Sequence, residues 1–504
     1  MFVRRWQHSS RSPLYGILLL AILLRIWAAL APGFHHPDAI FQYLEPAHRL
    51  LSGEGVITWE WRTGIRSWLL PTLFAVPLAV GQALSPDGQL PLMLPRLATG
   101  AASLGIVWAA WNIGRRHSLL TATLAAFVAA TWFELVFFAA ETLSEPLAVA
   151  AMIPAAALIA DPRPRTGKIV LAGALFGLAV FARPHYAPAV AALVVVSWWH
   201  DLAPRRFDRR RWGALIGGAV LVAAAGAVVD ARQGLMPFAW ILANFEQNIV
   251  HNVSARYGTF PILTYVDWSR QLWSWWLIPA IIGVRFGWRQ CPGLLAAAAV
   301  TLLLHSVIPH KEYRFVFLTV AAVTLLAAFG WGELIAIAGR RWGASKARGV
   351  AIAVFAMWGA ASIGVAQGNS SPARIRPSTD GWKTFAVLRQ DPAVCGVALI
   401  EPATFTAFPG TVGLRRGTPI SLFTSGDPAS RDGDRWTTAL RWRQTFNRIV
   451  TVSNGPPPLP PGYRVDHCEG PAEARMCIIA RPGTCKDGAR SPFLVNRVLA
   501  RRGY

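Results

Sequence analysis

Apolar stretches long enough to cross a bilayer recur along this chain, and that recurrence constrains its fold before anything else does. Eleven of them, at 14–30, 92–112, 119–138, 146–160, 169–182, 187–199, 213–229, 272–284, 293–308, 315–337 and 350–366, lie near the roughly 17 to 25 residues that a crossing helix needs. A mean hydropathy of +0.38, with 54% of residues hydrophobic and 15% charged, is far from the balance of a soluble domain. Arg4, Arg5 and Arg11 precede the first stretch as they would in a signal peptide. No small-residue cleavage pattern ends it at Pro32, so we read it as a retained helix.

The formal net charge of +23 suggests nucleic acid at first sight. The basic residues, however, sit in short clusters between apolar stretches: Arg4/Arg5/Arg11, Arg115/Arg116, Arg163/Arg165/Lys168, Arg205/Arg206/Arg209/Arg210/Arg211, Arg285/Arg289 and Arg340/Arg341/Lys346/Arg348. With eleven crossings every cluster falls on the side of the N-terminus, which the positive-inside rule assigns to the cytoplasm, and no nucleic-acid partner is needed. The segment 68–84 is apolar but carries Pro71 and Pro77, and counting it as a crossing would reverse all later loops. It is therefore read as a re-entrant or surface-lying helix.

This topology places 33–91, 139–146, 230–267 and 309–314 outside, converging on one face of a transmembrane domain spanning 1–366. The tail, 367–504, also lies outside. Its strand-like run at 394–400 and its prolines at 456–461 read as a small α+β domain. Four of the five cysteines (Cys395, Cys468, Cys477 and Cys485) fall in it. That pattern suits up to two disulfides in an oxidising compartment; the wide spacings, without a CxxC pair, argue against zinc.

Several outer residues can carry chemistry. Asp38 follows Pro37 at the start of a segment whose Ile40, Phe41, Leu44, Ala47 and Leu51 fall on one helical face, predicting an amphipathic helix on the membrane surface. A carboxylate there can act as a general base or cap the helix. Trp59 and Trp61 offer apolar platforms for sugar rings or for the lipid boundary. Arg66 is a cation on the non-cytoplasmic side and invites an anionic partner such as a lipid phosphate. His310-Lys311-Glu312-Tyr313-Arg314-Phe315 packs ionisable groups into one outer turn, where they are costly to keep. It reads as a phosphate clamp from Arg314, Lys311 and His310 with Glu312 orienting a cation, against an internally neutralised capping turn. Glu141 and Glu145 can cap the helix at Pro146, the preferred reading, or ligate a divalent cation. Arg183-Pro184-His185-Tyr186 can meet a phosphate or break two helices.

Together these motifs resemble a known family. His36-Pro37-Asp38 with Phe41-Gln42-Tyr43-Leu44-Glu45-Pro46, then Thr58-Trp59-Glu60-Trp61 and Ile65-Arg66-Ser67, look like the first outer loop of the dolichyl- or polyprenyl-phosphate-mannose-dependent α-mannosyltransferases, glycosyltransferase family 22. His310 to Phe315 is similar to that family's HKExRF motif, and Asp230 with Asn252 to Pro261 and Tyr265 looks like its later outer loop. The resemblance covers the chain to about Phe317 and departs at Ala39, where the family usually has a second acidic residue.

The resemblance implies an α-helical integral membrane protein of GT-C fold and an inverting transfer from a polyprenyl-phosphate sugar, mannose by family. The acceptor would be a hydroxyl on a glycolipid or glycan, the new linkage α, with no nucleotide sugar and no obligatory metal. Asp38 would be catalytic; Arg314, Lys311, His310 and Arg66 would bind donor phosphate; His36, Gln42, Glu45, Trp59, Trp61, Glu312, Tyr257 and Arg183 would contact substrate. The Ala- and Arg-rich style suggests a bacterial inner-membrane enzyme facing the periplasm. Rival readings are a GT-C enzyme using another polyprenyl-phosphate sugar, and a lipid-linked solute transporter or flippase. The second predicts ionisable pairs at the bilayer midplane, whereas here they gather at the outer interface.

Overall fold

A computed structural model describes residues 12–161, 164–199, 208–368, 378–400, 405–430, 434–455, 457–471 and 474–503. Arg4, Arg5, Arg11, Arg163, Arg205 and Arg206 lie outside the described residues. Each of the eleven apolar stretches coincides with helix. Five helices, Ser12–Leu30, Leu90–Gly114, Arg209–Arg232, Tyr313–Trp342 and Ala344–Gln367, are long and apolar enough to cross a membrane unaided. Leu119–Thr131 and Phe133–Ala139 form a sixth candidate, bent by 53°. The other stretches fall on shorter helices such as Ser144–Ile159, Thr166–Ala182 and Pro292–Val307. The chain is a multi-pass membrane protein.

The chain divides into two compact units. The first comprises residues 1–29 and 97–374. Its helices approach closely where small residues meet: a Cβ on Gly283 would lie 2.8 Å from Ala327 Cα, and one on Gly287 would lie 2.6 Å from Gly330 N. Without a hydrophobic drive between helices in lipid, such close backbone contact supplies the packing. The bent helix pair breaks at Trp132, whose backbone turns to ψ 125°. The carbonyls freed there, Ala129 O at 2.9 Å and Ala130 O, accept the guanidinium of Arg25, a buried residue of the first helix. A buried cation is retained because the break leaves acceptors that lipid cannot satisfy.

The second unit comprises residues 30–96 and 375–504, so the segment read as an outer loop of the transmembrane domain shares a unit with the tail. The tail holds a five-stranded sheet, β1 (Val397–Ile400), β2 (Ile420–Phe423), β3 (Arg448–Ser453), β4 (Arg464–Glu469) and β5 (Arg475–Ala480), in the order β2-β1-β3-β5-β4. The β2-β1-β3 portion is parallel, and β5 runs antiparallel to β3 and β4. Disulfides join Cys395 to Cys485 and, across β4 and β5, Cys468 to Cys477.

Glu45 fastens the two parts of this unit together. Its carboxylate accepts Val56 N–H at 2.6 Å, Val412 N–H at 2.9 Å and the Thr411 hydroxyl at 2.8 Å. Phe41 stacks on Phe405 at 4.7 Å, and Ile57 N–H reaches Asn496 Oδ1 at 2.7 Å. The amphipathic surface helix expected from Asp38 onward is thereby corrected. Ala39–Leu44 is a π-helical turn continuing into Glu45–Ser52, and residues 39 to 48 are buried on every face because the tail covers the side expected to be wet. Leu69–Leu84, the segment that was not counted as a crossing, buries Leu70, Phe74 and Leu78 and exposes Leu73, Val76, Val80 and Leu84. A helix with one face packed and an opposite face still apolar suits contact with lipid.

Candidate active site

In the first unit an ionic network gathers at the ends of several helices. Glu145 enters at the start of Ser144–Ile159, after the extended residue Leu143, whose apolar side chain makes no capping hydrogen bond. Thr166–Ala182 ends where Arg183 turns extended, and Arg314 sits in the short turn Tyr313–Val316. Glu145 Oε1 lies 3.0 Å from Arg183 Nη1 and 3.4 Å from Arg314 Nη1, with its side chain fully buried. Arg314 Nε also donates to Glu312 Oε2 at 2.6 Å, and Glu312 Oε1 meets His310 Nε2 at 3.1 Å. Both guanidiniums flank the Phe315 ring, Arg183 at 4.4 Å and Arg314 at 5.2 Å. Sequence reading thus identified Glu145, Arg183, His310, Glu312 and Arg314 one by one, and the fold joins them. Glu145, expected as a helix cap or cation ligand, instead lies at ion-pair distance from two guanidiniums.

Lys311 is buried and donates to Ser306 O at 2.8 Å and to Ile308 O, capping the end of Pro292–Val307. Three fixed cations (Arg183, Lys311, Arg314) against two carboxylates (Glu145, Glu312) leave this group with one excess positive charge. The Glu312 hydrogen bond holds the His310 imidazole above its ordinary pKa, which adds to that excess. The later outer loop docks on the same turn. Gly258 O meets His310 Nδ1 at 2.9 Å, Phe260 N–H donates to Pro309 O at 2.9 Å, and the half-exposed Tyr257 ring stands edge-on to His310.

In the second unit Asp38 begins the π-helical turn, its side chain 21% exposed and 3.4 Å from His36 Nδ1. Its backbone N–H donates to that same nitrogen at 3.2 Å. Gln42, one turn on, donates to Glu60 Oε1 at 3.1 Å. Trp61 packs on Trp68 at 4.5 Å. The indole nitrogens of Trp59 and Trp61 and Arg66 Nε are buried without a hydrogen-bond partner among the described residues. Of the carboxylates expected here, Asp38 is the accessible one, and Glu45 is taken up by the tail.

Two carboxylates were missed. Glu60 shares the Asp38 surroundings: burial raises its pKa, the Asp38 charge pushes the same way, and Arg66 opposes both. Its signal was its place inside the Thr58 to Trp61 match. Glu134, fully buried, accepts Trp132 Nε1, Trp273 Nε1 and the Tyr313 hydroxyl. Its signal was an acid inside an apolar stretch.

Against known proteins, residues 16–378 match the model of the Alg9-like mannosyltransferase family. GPI mannosyltransferase 3 of Yarrowia lipolytica is 28% identical over 338 residues, 64% of this chain and 63% of that protein. Its Drosophila melanogaster namesake is 26% identical over 60% of this chain and 53% of the relative. This chain therefore spans less than two thirds of either relative's length. Among solved structures, ArnT from Cupriavidus metallidurans bound to undecaprenyl phosphate superposes with a TM-score of 0.58 over 94% of this chain and 100% of that one, at 12% identity. Its apo state gives 0.57 over 93% and 99%, at 13% identity. Those likenesses identify the fold as GT-C. The family match covers well over half of the chain, which belongs to the Alg9-like mannosyltransferase family.

Proposed function

We propose that this protein transfers mannose from a polyprenyl-phosphate carrier to a hydroxyl of a glycolipid or glycan acceptor on the non-cytoplasmic membrane face, with inversion, giving an α linkage. Asp38 takes the proton from the acceptor hydroxyl as that oxygen bonds to the anomeric carbon. The bond from that carbon to the phosphate oxygen breaks on the opposite face, and the lipid phosphate departs with the electron pair. Arg314, Lys311 and His310 stabilise its charge, with Arg183 in their network and Arg66 as a further cation. His36, Gln42 and Glu312 orient these groups. Trp59, Trp61 and Tyr257 face the sugars, with the two indole N–H groups as donors to hydroxyls. The reaction so written needs no nucleotide and no metal; Glu145, considered with Glu141 for a cation, is engaged by two arginines.

The observation that carries this reading is the buried network of Glu145, Arg183, Arg314, Glu312 and His310, built around a family motif and carrying one excess positive charge with Lys311. Such a group is costly to hold in a membrane protein and is suited to an anion. The paired tail cysteines support an oxidising, non-cytoplasmic side, the periplasm in a bacterium. ArnT, which shares the fold, was seen with undecaprenyl phosphate. Incubating the purified protein with a panel of polyprenyl-phosphate sugars and a glycolipid acceptor mixture, followed by mass spectrometry, tests it. A hexose added from the mannose donor alone is expected; transfer from another sugar donor instead would reassign the donor.

A further inference from the structure

Glu134 takes no part in the chemistry described above, yet it is 0% exposed and stands just beyond the break between Leu119–Thr131 and Phe133–Phe137. Its Oε2 accepts Trp132 Nε1 at 3.0 Å and Trp273 Nε1 at 2.8 Å, and its Oε1 accepts the Tyr313 hydroxyl. Tyr313 and Trp273 lie 179 and 139 residues away in sequence. All three donors are neutral, so among the described residues no cation hydrogen-bonds to the carboxylate to offset its desolvation, and an apolar residue of similar size would be cheaper for stability alone.

What the carboxylate holds gives it another use. Tyr313 is the residue between Glu312 and Arg314, and in a 3₁₀ turn successive side chains point about 120° apart. With Tyr313 fixed on Glu134, Arg314 is turned toward Glu145 and Glu312. Trp273 comes immediately before Ser274, whose φ of 48° is a left-handed conformation that a serine adopts at a cost. The indole bond therefore also secures a strained corner beyond the loop whose Gly258 and Phe260 dock on the His310 turn.

We infer that Glu134 is a positioning residue: through the Tyr313 hydroxyl and the Trp132 and Trp273 indoles it sets the geometry in which Arg314 meets a lipid-linked phosphate. This rests on the reading that the Arg314 network binds that phosphate. The test measures the affinity of the purified full-length protein for a sugar-free polyprenyl phosphate in detergent micelles, with melting temperature in parallel, for Tyr313→Phe, Glu134→Gln, their double variant and Arg314→Ala. Tyr313→Phe removes a single hydroxyl and keeps the ring, so it serves if Glu134→Gln folds poorly.

The loss of a buried hydrogen bond of about 1 kcal/mol predicts affinity reduced about 5-fold or more in each single variant. The double variant should be no weaker than the weaker single, since both changes act on the same Glu134–Tyr313 contact. If Arg314→Ala weakens binding while Tyr313→Phe and Glu134→Gln bind within twofold of wild type, the inference is overturned and the phosphate reading stands, even if those variants melt earlier. If Arg314→Ala also binds as wild type, the phosphate reading falls and takes the inference with it.

Discussion

Glu45 offers a quantitative test of how the tail is fastened to the first outer loop. Burial pushes its carboxyl from 4.5 up to about 7, although Val56, Val412 and Thr411 all stabilise the ionised form. A folded pKa above the unfolded one means that the folded chain holds a proton the unfolded chain has released. Stability from this group is therefore full below about pH 4.5 and is lost as pH rises through about 7. A displacement of that size corresponds to about 3 kcal/mol, or roughly 6 to 12 °C in melting temperature for a unit of about 200 residues. Glu45→Gln cannot ionise. Its amide keeps one acceptor, so either Val56 N–H or Val412 N–H faces an NH₂ group, at a cost of about 1–3 kcal/mol. The variant should melt below wild type at pH 5 and reach or exceed it at pH 8, read by tryptophan fluorescence in detergent. A difference between the two proteins that stays constant across that range would refute the reasoning.

Glu145→Gln should cost about 3–5 kcal/mol, because Arg183 and Arg314 are left buried without their shared counter-charge; a detergent melt within 1 °C of wild type would contradict this. The two disulfides close loops of very different length, separations of 90 and 9 residues, so Cys395→Ser with Cys485→Ser should cost about 2 kcal/mol more than Cys468→Ser with Cys477→Ser. Chemical denaturation of the oxidised proteins measures the difference. His310 titrates above its ordinary range because of Glu312, so its stabilising contribution is full below pH 6.5 and fades as pH rises through the folded value. In Glu312→Gln its imidazole titration, followed by NMR, should move to lower pH.

Local patterns in the sequence carried much of this account. Apolar length located the helices, since a backbone in lipid has few alternatives. Contiguous motifs drew attention to Asp38 and to the turn from His310 to Arg314. The joining of Glu145, Arg183 and Arg314 was not readable, because each sits in its own turn and their pairing depends on how separate helices end. Glu45 shows the same limit: the family resemblance made it a substrate contact, while its partners Thr411 and Val412 lie 366 and 367 residues away. The tail's grip also buried a helix that, taken alone, has an amphipathic face. Glu134 was passed over although it is an acid within an apolar stretch, and its partners Trp273 and Tyr313 emerge only from the packing.

The central claim is that Asp38 serves as the base in a transfer from a lipid-phosphate sugar. The direct measurement is the rate at which radiolabelled mannose moves from polyprenyl-phosphate mannose to acceptor, compared between wild type and Asp38→Asn of matched melting temperature. A general base contributes about 10²- to 10⁴-fold, so the variant should lose at least 100-fold in rate while binding the donor normally. An Asp38→Asn protein that folds and transfers within a few-fold of the wild-type rate would contradict the account.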